Sequence, residues 1–397
     1  MSETQKHTKP NVPNLRFPGF EGDWESRKIG EDCSVLMCKR IFAHQTSEQG
    51  DVPFYKIGTI GAEPDAYISR ELFEDYKAKY NYPREGEVMV TCAGTVGKTI
   101  VFNGDDSYYQ DSNIVWLSNP KQLYLNSFLN YYLSRVNWNK LNSTTITRIY
   151  NDNLRELIIK YPSVEEQEKI VSLLSLLDQR IAVQNKVIED LKKLKTALCT
   201  ELFSHGRTIS TSFSEIGTYF SADNLSKEEL SDSGTECILY GELFTTYGRV
   251  ITDVKSRTSR RINNVTTLSQ SNDLLFPAST TVDAISLISP SAIIKPGVIL
   301  GGDMFGIRLS DKYNNQYMSN LLYYCYRYKL ASYAQGSTII HLHYKDIEKI
   351  KITVHPKENQ DRIVAILALQ DNRIANEQRI VNAYTNQKAN LIRQMFI

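Results

Sequence analysis

Several absences narrow the possibilities before any motif is read. No uninterrupted run of about eighteen apolar side chains occurs, so nothing here is built to cross a bilayer as a helix. The first residues, Met1 to Pro13, are polar and unlike an export signal, and a cytoplasmic location is expected. The six cysteines (Cys33, Cys38, Cys92, Cys199, Cys237, Cys325) show no Cys-x-x-Cys spacing, which suits free thiols in a reducing compartment. Charge is nearly balanced at +1, so no global basic field advertises a polyanion, although one face can still be basic. No glycine-rich loop stands between a strand and a helix as a dinucleotide or methyl-donor fold needs. There is no Asn-Pro-Pro-Tyr or Asp-Pro-Pro-Tyr stretch, and Asp105-Asp106 lacks the company a metal-assisted nuclease requires. The chain reads as non-catalytic.

Two segments imitate chemistry without meeting its demands. Cys92-Ala93-Gly94-Thr95-Val96-Gly97-Lys98-Thr99 resembles a phosphate-binding loop, but a cysteine occupies the first glycine position. The following Thr99 to Gly104 reads as a strand and turn, where the motif needs a helix, so a turn between strands is expected. His341-Leu342-His343 would put two imidazoles on one face of a strand, with no third ligand nearby for a metal. A polar surface facing a ligand is the better expectation.

What is present is a repeat. The segment Tyr161 to Phe203 recurs at Val354 to Phe396, about 193 residues on. Gln167 falls on Gln360, Ile170 on Ile363, Asp178 on Asp371, Arg180 on Arg373, Lys195 on Lys388 and Phe203 on Phe396. In the first copy Ile170, Leu174, Leu177, Ile181, Ile188, Leu191 and Leu198 fall on alternating steps of four and three. In the second, Ile363, Leu367, Ile374, Val381, Tyr384 and Leu391 keep the same register. That is a coiled-coil seam sustained for several heptads, on helices of roughly 60 Å at 1.5 Å per residue. Gln184, Glu377, Lys195 and Lys388 are polar interruptions that fix register. Ser163 with Glu166 predicts a capping box at the first helix start.

Two matching seams in one chain favour internal antiparallel pairing over a homodimer, because the effective concentration within a molecule is high. The expected fold is α+β: two globular domains related by a pseudo-two-fold and separated by a long antiparallel two-helix coiled coil. The boundaries are 1–160 and 204–353 for the domains, with helices over 161–203 and 354–397. Strand-like runs at Phe54–Gly58, Gly86–Thr91 and Asn113–Leu117 precede a helical pattern over Leu125–Leu141. Asn272–Phe276, Asp303–Ile307 and Tyr317–Tyr328 repeat that order with weaker similarity. Copied helices beside diverged globular parts imply one shared job and two different ones.

These features resemble the specificity subunits of type I restriction-modification enzymes. The residues carrying the likeness are Leu15-Arg16-Phe17-Pro18-Gly19-Phe20 with Trp24 and Lys28-Ile29-Gly30, Gly94-Thr95-Val96-Gly97-Lys98, and Tyr109-Gln110-Asp111-Ser112-Asn113. Most specific are Pro162 to Ile181 and its second copy, Asn359 to Ile374. At the glycine-rich turn the second half departs, carrying Ser279-Thr280-Thr281. The resemblance implies that each domain is a target-recognition domain reading one half of a bipartite double-stranded DNA target. It implies docking to two methyltransferase (modification) subunits and to restriction/translocase subunits. S-adenosylmethionine, ATP and Mg would sit on those partners, with no cofactor and no metal on this chain.

Half-sites must then lie about one helical turn, roughly 34 Å, apart on reachable faces of the duplex. Base discrimination calls for Arg, Lys, Asn, Gln and Thr side chains on loops. Candidates in the first domain are Lys39, Arg40, Thr95, Lys98, Thr144, Thr145 and Arg148. In the second they are Arg249, Arg257, Arg260, Arg261, Thr280, Ser337, Thr338 and His341. Two other classes compete: a coiled-coil scaffold with two protein-binding domains, and a weaker one, a nucleotide hydrolase using Cys92–Thr99.

Overall fold

The computed structural model describes residues 11–111, 113–138 and 148–397. Contacts divide the chain into two units: Met1–Gln184 with Ile380–Ile397, and Asn185–Arg379. Both mix helix and strand, and the two long helices, Val164–Ser204 and Lys357–Met395, each give one part to each unit.

In the first unit the main sheet has the order Ser34–Leu36, Ile114–Ser118, Val88–Thr91, Thr99–Val101, all antiparallel. The two central strands read as nearly continuous apolar runs because both of their faces are covered. Alternation sends Val88, Val90, Val115 and Leu117 to one side, against Phe128, Ile170, Leu174 and Phe396. Met89, Ile114 and Trp116 point to the other, against Phe54, Phe73 and Tyr108. One sheet thus separates a core made with the long helices from an outer core of its own.

The second unit follows the same plan. Gly217–Ser221, Met304–Leu309, Asp273–Pro277, Ser291–Ile293 and Val250–Ile251 form a five-stranded sheet in that order. Leu274, Phe276 and Ile307 pack with Phe203, Tyr317, Ile363 and Leu367, while Leu275 and Ile293 join Ile238, Ile251 and Leu300 on the far face. The strand runs expected from sequence coincide with Val52–Tyr55, Val88–Thr91, Ile114–Ser118, Asp273–Pro277 and Met304–Leu309 to within a few residues. The helical pattern expected over Leu125–Leu141 is a helix over Asn126–Ser134, with the last expected positions outside the described residues. That over Tyr317–Tyr328 divides at Tyr326 into Asn315–Cys325 and Arg327–Ala331.

The repeat extends to individual contacts. A two-stranded ladder closes each unit, Glu25–Lys28 with Ile158–Tyr161 and Ile209–Ser212 with Lys351–Val354. Gln167 is fully buried; its oxygen accepts from the Leu125 amide at 2.8 Å, and its nitrogen donates to the Leu123 and Pro162 carbonyls. Gln360 does the same for the Asn314 amide and the Lys312 and His355 carbonyls. Each glutamine thereby ties the start of a long helix to the start of the short helix that packs on it.

Within each unit the paired helix segments run antiparallel. In the first, Ile170 and Leu174 share a core with Leu391, Met395 and Phe396. In the second, Leu198 and Phe203 share one with Ile363 and Leu367. All the seam residues are buried or half-buried, namely Ile170, Leu174, Leu177, Ile181, Ile188, Leu191, Leu198, Ile363, Leu367, Ile374, Val381, Tyr384 and Leu391. The polar seam lysines are answered across the pair: Lys195 meets Asp371 at 2.6 Å and Lys388 meets Asp178 at 2.5 Å. Since Asp178 and Asp371 are themselves repeat partners, one ion pair is made twice, once in each unit.

The expected capping box is altered. The Ser163 hydroxyl accepts only distantly from the Glu166 amide, at 3.5 Å. The Glu166 carboxylate turns instead to Arg16, in a two-pronged pair of 2.9 and 2.8 Å. A bidentate guanidinium is the stronger partner for a buried carboxylate than a single backbone amide. It also explains the opening motif, since Arg16 further holds the Gly22 and Glu21 carbonyls and pins that segment to the helix start.

Candidate DNA-recognition surfaces

In both units the loop after the central strand meets a segment returning toward a short helix. In the first unit the Cys92 amide donates to Asn113 and its carbonyl accepts from Ile149. In the second, Ala278 does the same with Asp303 and Leu342. Thr95, Lys98 and Arg148 therefore occupy the place in the first unit that Thr280 and His341 occupy in the second. Thr144 and Thr145 lie outside the described residues.

The glycine-rich loop spends its donors on itself. The Gly97 amide bonds the Thr91 carbonyl at 2.8 Å, and the Lys98 amide bonds the Thr91 hydroxyl, which in turn donates to the Thr95 carbonyl. Gly97 has φ +80°, and a Cβ there would lie inside the Trp138 ring. Lys98 extends its ammonium to the Ile60 carbonyl at 2.6 Å. A phosphate cradle needs those amides free, and the chain continues as the strand Thr99–Val101. This is a hairpin turn.

The other first-unit candidates lie on the outer lobe. Arg40 is exposed and pairs with Asp111 at 2.8 Å, while the Lys39 ammonium sits over the Tyr80 ring at 5.3 Å. In the second unit Arg257 and Arg260 brace the ladder between Leu230–Leu239 and Ser256–Thr258. Arg257 bonds the Gly234 carbonyl and approaches Glu236, and Arg260 bonds Glu229 and the Asn224 carbonyl. Both are thus partly spent on the fold, whereas Arg261 is exposed beside them. Ser337 and Thr338 are exposed at the tip of a hairpin closed by reciprocal Gln335–His341 bonds.

Arg249, Thr280 and His341 come together in a groove of about 760 Å³. Arg249 donates to the Pro290 carbonyl at 2.9 Å and the Ser289 hydroxyl at 2.7 Å, and its guanidinium lies 4.1 Å from the Tyr323 ring centre. Burial pushes its pKa down to about 10, a group that still carries its charge at neutral pH. The His341 and His343 rings stack at 5.9 Å, His341 at the end of the strand Ile340–His341 and His343 at the start of the helix Tyr344–Ile347, and His341 lies 3.8 Å from Asp303. Among the described residues no group of three or more metal-ligating side chains gathers there or elsewhere. Sequence reasoning missed two members of this groove, Tyr323 and Arg327, although their spacing of four residues was a usable signal for an aromatic–arginine contact.

Two diverged α+β units closed by the same glutamine and lysine–aspartate contacts define an internally duplicated protein built on paired long helices. The chain belongs to the type I restriction modification DNA specificity domain family, which matches residues 21–193 and again 212–385. It is thus a specificity subunit, the non-catalytic kind of component in such systems. A relative from Haemophilus influenzae described as a type I restriction enzyme specificity subunit is 46% identical over 164 residues, 41% of this chain and 42% of that one. A Methanocaldococcus jannaschii relative, described as the MjaX specificity subunit, is 24% identical over 93% of this chain and 92% of its own. The crystal structure of an S subunit from M. genitalium shares the fold at a TM-score of 0.56 and 17% identity, covering 97% of this chain and 99% of that one. Among the described residues no helix is long and apolar enough to cross a membrane.

Proposed function

We propose that the chain selects a bipartite double-stranded DNA target, one globular domain per half-site, and docks two modification (methyltransferase) subunits and restriction/translocase subunits. Those partners supply S-adenosylmethionine, ATP and Mg chemistry, in the cytoplasm, and this chain supplies sequence choice. The observation that carries the reading is where the two copies agree and differ. Gln167 and Gln360, and the pairs Lys388–Asp178 and Lys195–Asp371, repeat contact for contact. The loops after the central strands do not: Gly94-Thr95-Val96-Gly97-Lys98 stands opposite Thr280-Thr281-Val282. A shared frame with unlike loops is what reading two unlike half-sites requires, because base edges are distinguished by loop side chains.

Co-expression with a type I modification subunit tests this. An active complex is expected to methylate a two-part motif with an unspecified spacer, visible by methylation-sensitive sequencing. An active complex whose methylation follows no two-part motif sinks the proposal and favours the scaffold alternative.

A further inference from the structure

The groove of the second unit brings together two arginines that the fold does not pair with a carboxylate. Tyr323 lies near the end of the helix Asn315–Cys325, and two guanidinium carbons lie close to its ring, Arg249 at 4.1 Å and Arg327 at 4.6 Å. Both cations are held by neutral groups. Arg249 uses the Pro290 carbonyl and Ser289 hydroxyl; Arg327 uses the Ile285 carbonyl at 2.9 Å and the Tyr323 hydroxyl at 3.3 Å. Among the described residues neither has a carboxylate at ion-pair distance. Of the nearby acids, Asp303 faces His341, and Asp283 takes the Ser286 amide and hydroxyl at 2.7 and 2.6 Å. These bonds, with a weaker contribution from the Arg327 charge, hold the Asp283 carboxyl below the usual carboxylate range without an ion pair being formed.

Neutral hydrogen bonds orient a guanidinium but do not cancel its charge, and two like charges in one concave wall disfavour each other. An arriving anion relieves both costs. The fork of an arginine matches a phosphate better than a point ammonium does. Thr280, whose hydroxyl oxygen accepts from the Val282 amide and keeps its proton for another partner, adds a hydroxyl donor to the same wall, the kind of neutral group that commonly accompanies arginine on a nucleic-acid backbone.

We propose that this groove seats a phosphodiester of the duplex held by the second unit, with the Arg249–Tyr323–Arg327 stack supplying the charge. This rests on the DNA-reading function above. The contact contributes affinity and fixes the position of the unit on its half-site, while the bases are read elsewhere. Arg327 is the better probe, since Arg249 is more deeply built into the domain.

The test uses the assembled complex with its modification subunits. Its affinity is measured across a salt series for a duplex carrying its own motif and for a scrambled duplex. Arg327→Ala is expected to weaken both by a similar factor, about tenfold or more. It should also make the slope of log affinity against log salt shallower by about 0.9, one phosphate contact. Arg327→Lys should restore the slope and part of the affinity, and Tyr323→Phe, which keeps the ring, should remain close to wild type. Wild-type affinity and slope in Arg327→Ala place the groove outside the interface and overturn the proposal. So does a loss confined to the motif duplex, which makes Arg327 a base reader. If Arg327→Ala does not assemble, the lysine variant decides: a slope shallower than wild type despite the retained charge overturns the proposal. A wild-type complex that discriminates no duplex overturns the DNA-reading function itself.

Discussion

Gln167 and Gln360 show how much one buried amide can organise. Each reaches three backbone groups that no neighbouring element satisfies, at the junction of a short helix with a long one. Replacing Gln360 by leucine keeps the volume but strands the Asn314 amide. A buried donor without a partner costs about 1–3 kcal/mol. Gln360→Leu is therefore expected to lower the denaturant midpoint of the full chain, and an unchanged midpoint would show that water replaces the amide there. At this scale the sequence aligned the two glutamines but did not reveal their purpose, because the short-helix groups they hold, at Leu123 and Leu125 and at Lys312 and Asn314, lie more than forty positions away. Glu166 was misassigned for the same reason. Its spacing from Ser163 fits a local cap, and the competitor, Arg16, is 150 residues distant.

Among the elements, the long helices were the most legible. Their apolar positions recur with helical spacing, and burial follows that spacing in both copies. The polar positions in the seam were visible too, yet their answer was not. Lys195 and Lys388 pair with aspartates of the opposite helix, a choice set by antiparallel register. Lys195→Asp should destabilise the chain by setting two carboxylates together, and adding Asp371→Lys should recover most of the loss. Because Asp371 is about half exposed, the coupling in a double-mutant cycle is expected to be modest, about 1 kcal/mol, and weaker in high salt. A double variant no more stable than Lys195→Asp alone would remove this pair as a register device. The sheets were legible as runs of apolar residues, but not as walls between two cores. That depends on what covers each face, which the period of two alone does not state.

For the molecule as a whole, divergence confined to the globular parts implies that they can be exchanged. Replacing residues from about Ser204 to Thr353 with the matching domain of another family member is expected to change one half of the methylated motif and leave the other intact. Sequencing of methylated sites reads this directly, and a change in both halves would rule out independent domains. The exchange should leave Phe203 and the helix it ends in place, because that ring packs edge-on against Tyr317 at 5.4 Å in the second unit. A foreign domain therefore needs an aromatic or large apolar side chain at the Tyr317 position to keep the joint closed.

The sequence by itself determined the duplication, the helical seams, the α+β class and the absence of a catalytic motif, because each is written in local period or residue type. Tertiary structure decided which charges remain available. Arg257 and Arg260 had equal standing with Arg249 as basic side chains on loops, yet they meet carboxylates of their own fold, Glu236 and Glu229, whereas Arg249 meets only neutral groups. Arg327, inconspicuous in the sequence, joins Arg249 at one tyrosine because the helices Asn315–Cys325 and Arg327–Ala331 and the segment leading into the strand Ser291–Ile293 converge there. Residue type fixes the charge a side chain carries, but only packing fixes whether that charge is already satisfied.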